Sequence, residues 1–283
     1  MSKKAWFALP VALALGGTAI AGSSDSYEDP YKVLKGLIEE VDSKYLTASD
    51  QNLMMMPDNP AYWTADEGEQ LFHKKRGPKN ASLEKCDLGK GPGVVEGAYA
   101  EMPRYFEDAG RVMDLGNRLI YCMKTIQGFT EDDPAIKKRH GSNSDMMKLQ
   151  TYIASESSGY EWDPPMEHPM EKAMRDAGEV MFYRRAGKMD FSCNTCHGDT
   201  GKRIRASVLP NMKRPVEWTK SISWPAYRVG HQQVRSSLHR LRGCYWQMRQ
   251  GRIRAGSDAS IAMLTFWTDA ARGQPAILPD LKR

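Results

Sequence analysis

The chain has 283 residues, 41% of them hydrophobic and 27% charged, with a formal net charge of +5. This balance describes a folded globular chain and excludes collagen-like or disordered classes. Beyond the N-terminus no apolar run reaches the ~18 residues a membrane helix needs, so no membrane span is expected.

The charge is unevenly distributed. From Thr200 to Arg283 there are 16 Lys and Arg against 4 Asp and Glu. The C-terminal part is therefore strongly basic and the rest of the chain acidic. An anionic small substrate or an acidic protein partner suits such a face; no nucleic acid is expected for an exported chain.

The N-terminus reads Met1-Ser2-Lys3-Lys4, then a mostly apolar run from Ala5 to Ala21 closing on Ala19-Ile20-Ala21. A basic start, a short apolar core and an A-x-A end describe a signal peptide over residues 1–21, cleaved near Ala21-Gly22. The expected location is the periplasm, where disulfides persist and c-type haem is attached. Residues 22–60 read as an N-terminal extension. It contains an amphipathic helix from Tyr31 to about Ser43, with Val33, Leu34, Leu37, Ile38 and Val41 on one side. The Met54-Met55-Met56 run is read as packing.

An internal repeat follows. Gly68-Glu69-Gln70-Leu71-Phe72 resembles Gly178-Glu179-Val180-Met181-Phe182. Further on, a constant offset of 122 residues aligns Pro103 with Pro225, Tyr105 with Tyr227, Val112 with Val234, Arg118 with Arg240, Leu119 with Leu241 and Cys122 with Cys244. Each copy ends in a closing helix, around Met147–Ile153 and Met263–Trp267. No extended alternating pattern competes, so the fold is expected to be mainly α. The layout suggests two tandem class I cytochrome c-like domains, over residues 61–158 and 159–283, joined by a Ser-, Gly- and Pro-rich linker over 155–169.

The second copy carries Cys193-Asn194-Thr195-Cys196-His197, a C-x-x-C-H motif. Two thiols one helical turn apart reach both vinyl groups of one porphyrin, and the following imidazole binds the iron. Cys193 and Cys196 are thus candidates for covalent haem attachment, with His197 as the proximal ligand. A zinc site would need a second ligand pair at similar spacing, and the chain has none. The first copy has Leu83-Glu84-Lys85-Cys86-Asp87 instead, so it is expected to lack haem. One covalent c-type haem is expected in all.

Of the five cysteines, Cys86 and Cys122 share the haem-less copy and are expected to form a disulfide. Cys244 is left unpaired, within His239-Arg240-Leu241-Arg242-Gly243-Cys244-Tyr245-Trp246-Gln247-Met248-Arg249. Three nearby arginines would stabilise a thiolate, and Arg240 lies one turn before Cys244 on the same helix face. The distal haem ligand is open at this point between Met248 or Met263, as in an ordinary electron carrier, and Cys244.

The C-x-x-C-H motif, the tandem repeat, and the segments Arg240–Arg249, Cys86-Asp87-Leu88-Gly89, Glu96-Gly97-Ala98-Tyr99 and Pro103-Arg104-Tyr105-Phe106 together resemble the SoxA family, the catalytic subunits of SoxAX cytochromes. The resemblance spans essentially the whole mature chain. It implies an L-cysteine S-thiosulfotransferase that joins thiosulfate oxidatively to a cysteine of the carrier SoxYZ, in a heterodimer with a SoxX-type monohaem cytochrome c. It also implies that Cys244 is both axial iron ligand and active-site persulfide sulfur, and that Arg240 contacts substrate. Some members carry two haems; the missing first motif places this chain with the one-haem kind. The reading that stands against it is a non-catalytic electron-transfer cytochrome with Met-ligated haem.

Overall fold

The structure, a computed structural model, describes residues 59–282 except 142, 205 and 206. The expected signal peptide and the helix expected over residues 31–43 lie outside the described residues.

Two helix pairs form the frame. Helix α1 (Ala61–His73) buries Ala61, Ala65, Gly68 and Phe72, a stripe at helical spacing. Helices α2 (Leu115–Thr125) and α3 (Pro134–Lys137) lead into α4 (Asp145–Ser155), which crosses α1. The crossing is close because Gly68 has no side chain: a Cβ there would sit 2.1 Å from the Lys148 carbonyl oxygen. Helix α5 (Pro169–Tyr183) starts with Pro at its first turn and a capping box between His168 and Glu171. It is followed by α6 (Cys193–His197), α7 (Pro215–Ile222), α8 (Ser237–Gln247) and α9 (Asp258–Asp269). Helix α9 crosses α5 at Gly178, where a Cβ would again sit 2.1 Å from a carbonyl oxygen, that of Ala262. Residues Ser260 to Thr268 of α9 are all buried, as befits a helix enclosed by the core.

The repeat is structural as well as sequential. Strands β1 (Arg104–Phe106) and β2 (Arg111–Met113) pair antiparallel, with Arg104 opposite Met113. A two-strand unit β3 (Arg203–Ile204) and β4 (Ser207–Val208) intervenes. Then β5 (Ala226–Arg228) and β6 (Gln233–Arg235) repeat the first hairpin, with Ala226 opposite Arg235. Strand β7 (Asp280–Lys282) adds in parallel to β5. Each hairpin turns through a short 3-10 segment, Glu107–Ala109 or Val229–His231, and then one left-handed residue, Gly110 or Gln232. Helices α2 and α8 follow, capped by the Asp114 and Ser236 side chains. Upstream, the local backbone bridges Arg76 to Ala81 and Ala186 to Phe191 recur at equivalent places in the two halves, which makes Cys86 the counterpart of Cys196 and Asp87 that of His197.

One core gathers Phe72, Leu83, Leu88, Leu119, Met123, Leu149 and Ile153. The other gathers Phe182, Trp218, Leu241, Met263 and Trp267. The segment read as a linker is not a free spacer. Trp162 is 1% exposed, its N–H donates to the Gln274 carbonyl, and its indole N–H donates to Thr219 Oγ1. Burying one indole outweighs the polar composition around it. The Tyr105 ring also stacks on His168 at 3.7 Å, and the Tyr105 N–H donates to the Glu171 carboxylate at 2.7 Å.

Candidate functional site

The site is built on α6. Ser192 caps this helix and Thr195 returns the capping bond, which fixes Cys193, Cys196 and His197 on a single turn. The His197 Nδ1 lies 2.9 Å from the Pro210 carbonyl oxygen. A carbonyl only accepts, so Nδ1 carries the proton and Nε2 keeps its lone pair. Trp218 packs edge-on against the His197 ring at 5.2 Å and is itself held by its indole N–H bond to the Trp267 carbonyl. Burial pushes the His197 pKa down, opposed by the Pro210 bond and assisted by Arg240. The imidazole is thereby held neutral and oriented, the form that binds a metal.

Cys244 comes from α8. It lies in the last two turns of that helix, between the buried Leu241 and Met248. Burial pushes Cys193 up to about 12 and also raises Cys244; Arg240 opposes the rise at Cys244. The expectation of three arginines depressing this thiol is therefore corrected on two counts. Burial outweighs the charge, and of the three it is Arg240 that acts on the sulfur. Arg242 lies on another face of α8, lining a cavity with Arg139, His140, Arg235 and His239. Arg249 lies past the helix end in a left-handed conformation, with its guanidinium 5.0 Å from the Trp246 ring. Met248 and Met263 are buried in the core.

These residues fit a covalently attached haem. The two attachment thiols share one helical turn, His197 offers an oriented Nε2, and Cys244 supplies a sulfur from a separate helix. A Cβ added at Gly243, beside Cys244, would meet no atom within 4 Å, so the protein leaves room on this side of the helix. Among the described residues no three His, Cys, Asp or Glu side chains converge as a bare metal ion requires.

The matching positions of the first half are arranged differently. Cys86 and Cys122 form a disulfide, with Cα atoms 5.7 Å apart. Arg118, the match of Arg240, is 3% exposed. Its guanidinium pairs with both oxygens of Asp108 at 2.7 and 2.9 Å and donates to the Asp87 carbonyl at 2.7 Å. It also lies over the Phe106 ring at 4.0 Å and near the Tyr121 ring at 5.1 Å.

Sequence reasoning did not find Pro210, Trp218 or this enclosure of Arg118. Trp218 sits in an apolar helical stretch and reads as core. A carbonyl partner such as Pro210 carries no side-chain signal at all.

A helix-crossing frame around an oriented C-x-x-C-H turn defines a c-type cytochrome. The SoxA/TsdA cytochrome c domain family matches residues 67–162. The L-cysteine S-thiosulfotransferase subunit SoxA of Hydrogenophilus thermoluteolus is 40% identical over 287 residues, covering 99% of this chain and 100% of that one. The subunit of the same name from Hydrogenobacter thermophilus is 34% identical, covering 87% of this chain and 86% of its own. The crystal structure of SoxXA from P. pantotrophus shares the fold with a TM-score of 0.67 at 24% identity, covering 83% of this chain and 84% of that one. The chain belongs to the SoxA family.

Proposed function

We propose that the chain is the catalytic cytochrome subunit of an L-cysteine S-thiosulfotransferase acting on thiosulfate and a cysteine of a SoxYZ-type carrier. It works in the periplasm as a heterodimer with a SoxX-type monohaem cytochrome c. The names of its relatives support the activity, and the SoxXA complex from P. pantotrophus supports the partner. Among the described residues no helix is long and apolar enough to cross a membrane.

The proposed organisation is a signal peptide over residues 1–21, an extension over 22–60, a haem-less cytochrome c-like domain over 61–158 and a haem-binding domain over 159–283. Support for a single haem comes from the matched positions. Where the second half has Cys196, His197 and Cys244, the first has Cys86 bonded to Cys122 and Asp87 in place of the histidine. A disulfide between those two positions, with the Arg118 guanidinium enclosed in the same half, supports the reading of that half as haem-less.

The observation that carries the functional reading is the pairing of the Cys193–His197 turn with a helix that presents Arg240 one turn before Cys244. Cys193 and Cys196 would hold the haem covalently, and His197 and Cys244 would ligate its iron. When bound, the haem supplies a one-electron acceptor from which electrons leave to the partner cytochrome. Arg240 binds the sulfonate oxygens of thiosulfate through charge-assisted hydrogen bonds. This orients the sulfane sulfur toward the Cys244 sulfur; removal of two electrons joins the two as an S-thiosulfonate, and the carrier thiol then takes the whole thiosulfonate group and releases Cys244. The balance is one S–S bond formed between thiosulfate and the carrier cysteine, one thiol proton released and two electrons removed.

The test is Arg240→Ala in the exported heterodimer. The KM for thiosulfate is expected to rise by about tenfold to a hundredfold, the loss of a charge-assisted contact, while haem content stays the same. An unchanged KM would remove Arg240 from substrate binding.

A further inference from the structure

The two halves carry the same arginine on the same helix turn, and its surroundings differ in one direction. In the first half Arg118 is enclosed by Asp108, Phe106, Tyr121 and the Asp87 carbonyl. At the offset of 122 residues, Asp108 is replaced by Gly230 and Tyr121 by Gly243. The hairpin and turn keep their register across the repeat: residue 108 sits in the 3-10 segment Glu107–Ala109 and residue 230 in Val229–His231. Position 230 thus stands to Arg240 as position 108 stands to Arg118.

Backbone demands do not explain the glycine at 230. It is not among the residues with positive φ, and a Cβ added there would meet no atom within 4 Å. No other acid compensates. The four carboxylates between Thr200 and Arg283 are engaged elsewhere: Glu217 with Arg214, Asp258 with Arg111, Asp269 with Arg175 and Arg272, and Asp280 with Lys282. Among the described residues none pairs with Arg240.

We propose that Gly230 determines anion binding at the active site: by withholding the carboxylate that Asp108 gives to Arg118, it keeps the Arg240 guanidinium open to an external sulfur oxyanion. A guanidinium whose Nη1 and Nε are already bonded, as those of Arg118 are, has fewer donors left, and a neighbouring carboxylate repels an incoming dianion. The same residue change that separates the halves also separates a structural arginine from a substrate-binding one. The inference rests on the reading of Arg240 as the substrate's contact.

The experiment is Gly230→Asp in the haem-loaded heterodimer, beside Gly230→Asn, which is of similar size without the charge. Gly230→Glu, with a longer arm, serves if the aspartate variant yields too little protein. Two readouts are taken: the KM for thiosulfate at saturating carrier, and the thermal unfolding midpoint at low and high salt. The aspartate is expected to raise KM about tenfold, the scale of one charge-assisted contact, with Asn raising it far less. It is also expected to raise the midpoint at low salt, and this gain should vanish in Gly230→Asp/Arg240→Ala. Equal KM increases for Asp and Asn would overturn the proposal, since the cause would be size. Flat KM and flat midpoint would overturn it too, because no pair forms. A raised midpoint with flat KM would show that the pair forms and that substrate does not use Arg240, which removes the functional reading instead.

Discussion

Cys244→Ala is expected to abolish thiosulfate coupling while leaving the haem attached. In the proposed site the attachment chemistry would belong to Cys193 and Cys196 on α6, and the proximal side to His197, whose Nδ1 meets the Pro210 carbonyl. None of these depends on Cys244, which arrives from α8. What the substitution removes is the sulfur itself. Losing a covalent nucleophile costs at least about a thousandfold in kcat in enzymes that form covalent intermediates. Truncation to alanine removes a single sulfur atom from a helix whose buried residues are Leu241 and Tyr245. The check is steady-state turnover with thiosulfate and the carrier, alongside haem quantification on the same sample. Full turnover with haem retained would make Cys244 a packing residue and return the chain to the class of plain electron carriers.

The second large effect is on stability. Replacing both Cys86 and Cys122 by alanine is expected to destabilise the fold by about 3–4 kcal/mol, the chain-entropy cost of releasing a loop of this length. The bridge spans a sequence separation of 36 and both sulfurs are buried. It ties the segment that follows α1 to the buried face of α2, at the positions that match Cys196 and Cys244 in the second half. On the proposed reading, a covalent staple and the caged Arg118 would together stand in for the packing that a porphyrin would give the other half. The double variant leaves no stray thiol to pair with Cys244 during export. Denaturant unfolding followed by far-UV circular dichroism measures the loss. An unchanged midpoint would show that the bridge contributes nothing to the resting fold.

Much of this site is legible in the sequence because its chemistry fixes spacing. Thioether attachment demands two cysteines one turn apart followed by histidine, and no fold can relax that. The repeat is legible for a related reason: hairpin, turn and helix keep their length, so Arg118 and Arg240, and Cys122 and Cys244, stay in register. The direction of Arg242 was also available, since residues two apart on a helix point to different sides. Counting it with Arg240 as a neighbour of Cys244 ignored that period.

Other features depend on tertiary contacts. The stretch around Trp162 reads as a spacer from its Ser, Gly and Pro content, and a single buried indole with two hydrogen-bonded neighbours decides otherwise. The raised pKa of Cys244 is likewise set by burial, which charge counting along the sequence does not register. The enclosure of Arg118 combines residues from a hairpin, a turn and a helix, so its absence around Arg240 appears only when the halves are compared in space.

The central claim is that one half of a duplicated cytochrome holds the haem and the other replaces it with a disulfide. Pyridine haemochrome quantification combined with mass mapping of the exported, mature protein tests it most directly. The account predicts one haem per chain, on the peptide containing Cys193 and Cys196, with Cys86 and Cys122 recovered as a disulfide-linked pair. Two haems per chain, or haem on any peptide from the first half, would contradict it, and so would a protein that carries none.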